Sequence, residues 1–115
     1  MYTSKFTSDA LEHVSALPKN VRNALKREFE KTIHRDPIAC SEPLTGPLAD
    51  FRSFHFHNYR VIYRVYGNLK IVAVVGVGKK DKTHYAEIYK KLERLAKSGK
   101  LAEDFLRAIR LLESP

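Results

Sequence analysis

The chain predicts an α+β fold: an N-terminal strand and helical hairpin packed on a small, largely antiparallel sheet, with additional C-terminal helices. Three observations carry that reading. Apolar residues recur at helical spacing at Ala10, Leu11, Val14 and Leu17, and again at Val21, Leu25, Phe29 and Ile33. The pattern then changes to alternation and to a nearly continuous apolar run, Leu69-Lys-Ile-Val-Ala-Val-Val-Gly-Val77. After Gly78 helical spacing returns at Tyr85, Ile88, Tyr89, Leu92, Leu95 and Ala96.

Taken in order, Tyr2 to Phe6 alternates as a half-buried strand does. Thr7 or Ser8 suits a helix cap, with Asp9 and Glu12 in the first turn. Pro18 breaks that helix and a second begins near Lys19, so the pair forms an antiparallel hairpin. Asp36-Pro37 ends it, because the residue before proline is pushed out of the helical region. Residues 38–50 read as a loop punctuated by Pro43, Gly46 and Pro47 and anchored by Leu44 and Leu48.

Three strands follow, at about 51–57, 59–66 and 69–77. The first puts Phe54 and Phe56 on one face and Ser53, His55 and His57 on the other, with the turn at Asn58. Gly67-Asn68 makes the next turn. The third strand is apolar enough to be covered on both faces. Ser98-Gly99 stops the following helix, and Leu101, Phe105, Ile109 and Leu112 outline one more.

A chain of 115 residues holds one domain with a modest core, and 43% apolar content is ordinary for a globular protein. No apolar run approaches the roughly 20 residues that cross a bilayer, and Met1-Tyr-Thr-Ser-Lys-Phe6 carries no signal-peptide apolar stretch. Cys40 is alone, which excludes an intrachain disulfide and suits an inert thiol in a reducing cytoplasm. The expected location is therefore cytoplasmic, without a membrane partner.

The net charge of +8 is concentrated. Between residues 52 and 82, Arg52, Arg60, Arg64, Lys70, Lys79, Lys80 and Lys82 meet one carboxylate, Asp81. A sheet displaying that charge points to a polyanion, with nucleic acid ahead of an acidic protein or an anionic membrane.

Leu44-Thr-Gly-Pro-Leu48, Phe51-Arg-Ser-Phe54, Tyr59-Arg-Val-Ile-Tyr-Arg-Val65 and Val75-Gly-Val-Gly-Lys-Lys-Asp-Lys82 followed by Tyr85 form an ordered set. Together with the strand-helix-helix front end, it resembles the RelE/ParE superfamily of bacterial toxins from type II toxin–antitoxin pairs. The back end is more similar to the RelE branch. The resemblance covers roughly residues 1–95, which implies a toxin domain over 1–97 with 98–115 as a C-terminal helical extension of the same domain. That extension is expected to pack on the chain's own core or to serve antitoxin binding or self-association.

The resemblance implies an mRNA endoribonuclease acting in the ribosomal decoding site without metal or other cofactor. The RNA's own 2′-hydroxyl attacks the adjacent phosphate, leaving a 2′,3′-cyclic phosphate and a 5′-hydroxyl. A base, an acid and cations for the transition-state charge are then required. Arg60 matches the family's phosphate-binding arginine, and a planar fork suits that task. Lys80 falls at the second electrostatic clamp, with Lys79 as its fallback. Tyr85 lies near the family's catalytic tyrosine, one residue closer to Gly78, and Tyr89 or His84 can fill the role.

His55 and Ser53 stand where the RelE branch carries alternating cations. An imidazole titrates near neutrality, so His55 is a candidate base, with His57 or His84 as its partner. Arg52, His57, Arg64, Lys79, Lys82 and His84 are candidate RNA contacts. The plainer readings are an Arg60 ion pair with Asp50 or Asp81, histidines on a solvated face, and tyrosines that only pack. A metal held by His55 and His57 would lack further ligands. His13 and His34 read as surface residues.

The implied partners are a cognate antitoxin, mRNA and the ribosome, with the toxin–antitoxin complex reaching operator DNA through the antitoxin. A ParE-like inhibitor of DNA gyrase that cleaves nothing, and an inactive RNA-binding member, are the alternatives, since one fold can host both activities.

Overall fold

The computed structural model describes residues 1–79 and 83–97. Its strands are β1 (Thr3–Phe6), β2 (Glu42–Pro43), β3 (Arg52–Phe56), β4 (Tyr59–Tyr66) and β5 (Ile71–Lys79). Its helices are α1 (Ser8–Ser15), α2 (Lys19–Glu28) and α3 (Thr83–Lys97). The five strands form one sheet in the order β1-β5-β4-β3-β2. Only the β1–β5 pair is parallel. The expected α+β architecture is thus present. The helix foreseen between Leu101 and Leu112 lies outside the described residues.

Local chemistry explains the helical half. The Thr7 side chain accepts from the Ala10 N–H at 3.2 Å and caps α1. Pro18 then sits at the N-cap of α2 in an extended conformation, so the two helices cannot merge. Leu25, Phe29 and Ile33 are all buried, as their spacing requires. The last turn of this stripe, Phe29–Ile33, is a π-helical turn continuing α2.

The sheet buries both faces. On one side Phe54, Phe56, Val61, Tyr63, Val72, Val74 and Val77 pack with Ala10, Leu25, Phe29 and Ile33. On the other, Ile62, Ile71, Ala73 and Val75 pack with Leu48, Phe51 and Leu92. Each fully buried aliphatic side chain contributes about 1.5–3 kcal/mol. β5 lies between β1 and β4 with eight of its nine residues buried, as its apolar run anticipates.

Two strands differ from expectation at their ends. β3 stops at Phe56, and His57 lies in the turn with φ 53°. β5 begins at Ile71 and ends at Lys79, because Gly67 to Lys70 form a longer turn in which Lys70 takes φ 55°. A β-bulge also interrupts the β4–β5 ladder: Ile62 pairs with Gly76 but Tyr63 pairs with Val74, leaving Val75 as the extra residue.

β1 reaches only as far as Val74 of β5. Beyond it α1 takes over the edge. The Val77 N–H donates to His13 Nδ1 at 3.2 Å. His13 is therefore half-buried and bonded to the sheet rather than a surface residue. His34 is likewise half-buried, with Nε2 at 2.6 Å from Ser4 Oγ. Both sequence readings fail for the same reason: the partners come from strands remote in the chain.

Candidate nucleic-acid site

The β3–β4 hairpin builds the centre of the site. His55 pairs directly with Arg60, and Arg60 with Gly78 on β5. Directly opposed residues share a face, with Cβ atoms about 5 Å apart. Alternation along β4 puts Arg60, Ile62, Arg64 and Tyr66 on that face, the side covered by α3. His55 is exposed, whereas Arg60 is half-buried with Nε withdrawn from solvent. Arg60 also has interacting partners within the structure. Gly78 beside it offers no side chain, so the guanidinium is not crowded from β5.

Arg64 belongs to the same face but is oriented. Its Nη2 lies 4.0 Å from Asp50 Oδ2, and its guanidinium carbon lies 5.1 Å from the Tyr66 ring centre. Burial raises the Tyr66 phenol pKa, with Arg64 pulling it back and Asp50 adding to the rise.

Other sequence candidates are placed apart. Arg52 pairs with Tyr63 and so belongs to the opposite, hairpin-covered face. Its Nε donates to Ser41 Oγ at 2.7 Å, and its Nη2 donates to the Ser41 and Ile38 carbonyls at 2.8 and 3.1 Å. The guanidinium thereby fastens the 38–41 loop. His57 is exposed in the turn, its ring edge-on to Phe56 with centroids 4.5 Å apart. It does not share a strand face with His55. Lys79 pairs with Tyr59, and alternation sends it away from the Arg60 face.

Lys80 and Lys82 lie outside the described residues. His84 and Tyr85 belong to the first turn of α3, and their side chains also lie outside the description.

Of the β4 tyrosines, Tyr63 and Tyr66 pack against the core. Tyr63 is fully buried, donating to the Pro37 carbonyl at 2.7 Å, with Cys40 Sγ at 3.6 Å. Burial is the largest cause of its raised phenol pKa. Among the described residues no group of three or more His, Cys, Asp or Glu side chains could hold a metal ion. Nor is any helix among them long and apolar enough to cross a membrane.

The site thus sits on a mixed sheet with the helical hairpin against one face and Arg60 and Arg64 of β4 on the other. Residues 3–84 match the family of ParE toxins of type II toxin–antitoxin systems, parDE. The chain belongs to this family, and with it to the RelE/ParE superfamily of toxins.

Among its relatives is Toxin RelG of Mycobacterium tuberculosis (strain ATCC 25618 / H37Rv). The two are 28% identical over 90 residues, 78% of this chain and 98% of the relative. The fold is similar to that in the RelBE2 toxin–antitoxin complex from Mycobacterium tuberculosis. The TM-score is 0.62 and the identity 29%, over 68% of this chain and 96% of that one. It is also similar to the isolated E. coli RelE toxin, with TM-score 0.60 and 27% identity, over 80% of this chain and 99% of the other. The first of these structures is that of a toxin–antitoxin complex, the second that of a toxin alone.

Proposed function

We propose that this toxin is a metal-independent endoribonuclease that cuts mRNA, acting on ribosome-bound message through 2′-hydroxyl attack on the adjacent phosphate. One observation carries the reading: exposed His55 and half-buried Arg60 are opposed at one end of the sheet, beside the glycine that leads into Lys79-Lys80. A phosphate held by Arg60 would lie within reach of an imidazole able to take the 2′ proton. In this reading Lys80 shares the transition-state charge and Tyr85 assists proton transfer. Arg64 extends the cationic track along the same face, and in this reading Lys79, Lys82, His57 and His84 supply further contacts to RNA. Arg52 positions a loop rather than touching RNA.

The antitoxin, with an acidic segment, would cover this basic face and close the RNA path. The chain would act in the cytoplasm, and the complex would meet operator DNA through the antitoxin.

A second reading, inhibition of DNA gyrase without cleavage, is favoured by the ParE description of the matching family. Inducing the chain alone and mapping transcript ends separates the two. Fragments ending in cyclic phosphates and 5′-hydroxyls, lost with Arg60→Ala by about 100- to 1,000-fold, support the nuclease. Filamentation with intact mRNA assigns the gyrase reading and overturns ours.

A further inference from the structure

A cavity of about 520 Å³ opens between β1, at the outer edge of the sheet, and α2. It lies on the hairpin-covered side and shares no residue with the proposed RNA site. Phe6, Val14, Leu25 and Phe29 supply apolar walls. Asn23 and two groups of polar side chains interrupt them. The first is the Ser4–His34 pair, joined at 2.6 Å. The π-helical turn carries the chain to His34 at this position, and the His34 carbonyl accepts the Tyr2 N–H at 2.8 Å. Turns of this kind recur at functional sites. The second is a charged rim of Arg22, Lys26 and Glu30, with cations in excess by one.

Size and lining match a small-molecule site, which is typically about 300–1,000 Å³, mostly apolar, with a few fixed polar groups. The surplus positive charge selects the sign of the ligand. We propose that this cavity binds a small amphipathic carboxylate. Its aliphatic or aromatic body lies among Val14, Leu25 and Phe29, and its carboxylate meets Arg22 and Lys26. Burial holds the His34 imidazole below its ordinary pKa, against the pull of the Glu30 carboxylate. The Ser4–His34 pair is then uncharged at neutral pH and adds a hydrogen-bonding end without repelling an apolar body.

The test uses the full chain and three probes of equal length: octanoate, octylamine and octanol. Titration is followed by two-dimensional NMR and by melting temperature. Octanoate should bind saturably, with shifts confined to β1, α2, the Phe29–His34 turn and Val14, and should raise the melting temperature. Octylamine and octanol should bind at least about tenfold more weakly, the equivalent of one charge-assisted hydrogen bond. The Arg22→Ala/Lys26→Ala variant, altered only at the rim, should bind octanoate about tenfold more weakly. Absence of saturable binding overturns the proposal. So does equal affinity for octanol, which would assign the cavity to an apolar side chain of a protein partner. Neither result touches the RNA reading, because no proposed RNA contact lines the cavity.

Discussion

The backbone N–H of Val77 terminates on the ring of His13, 64 residues away, at 3.2 Å. The acceptor is Nδ1, so the ring must keep a lone pair there. His13 thus does for the far half of β5 what β1 does for the near half. Its loss should leave a strand N–H unpaired, at a cost of about 1–3 kcal/mol. His13→Ala is expected to melt lower and to exchange the Val77 amide faster. An unchanged exchange rate would show that solvent replaces the ring at no cost.

Arg52 separates fold from function. Three donor contacts tie it to Ser41 and Ile38. Arg52→Leu should loosen the 38–41 loop, lower stability by about 2 kcal/mol and speed proteolysis there. RNA affinity of the folded variant should stay near that of the parent. A normally stable variant with lost RNA affinity would return Arg52 to the nucleic-acid surface.

His34 sets an acid limit. Its folded pKa is lowered by burial, which outweighs the Glu30 carboxylate. The unfolded chain therefore takes up the proton first as pH falls. Stability is undiminished above the unfolded value of 6.5 and declines as pH drops through it, until the folded ring protonates as well. His34→Gln should lose less melting temperature than the parent between about pH 7.5 and 5. Parallel losses would remove His34 from the account.

His55 is the test of chemistry rather than binding. His55→Ala should lower the cleavage rate by about 100-fold or more and abolish the limb of the pH profile that reports a base, with RNA affinity little changed. A slower enzyme with the same profile would place the base elsewhere, with Tyr85 first in line.

The period of the apolar residues made most of the fold legible. Leu25, Phe29 and Ile33 declare one buried face whether the last turn is α or π. The apolar run of β5 declares a covered strand. Its ends were not legible, because Leu69 and Lys70 look like strand residues yet belong to the turn. The β3–β4 turn was misplaced by one position for a related reason. It uses His57 at positive φ, where no glycine advertises the need.

The candidate site divides in the same way. His55 and Arg60 follow from strand alternation across a short hairpin, so their opposition could be anticipated. Ser4–His34 and His13–Val77 join single residues across the fold, and no local pattern encodes them. Arg52 carries a like charge on the face opposite Arg60, because residues 52 and 60 are separated by both a turn and a parity change.

The single extra residue at Val75 has a consequence for the neighbourhood of the guanidinium. Were β4 and β5 in step from Tyr63 onward, Arg60 would sit beside Val77, and a branched hydrocarbon would fill the space over its stem. Slipping by one substitutes a hydrogen atom for that branch. An irregularity that weakens the ladder thereby leaves glycine, not valine, beside the arginine to which the proposed reading assigns the phosphate.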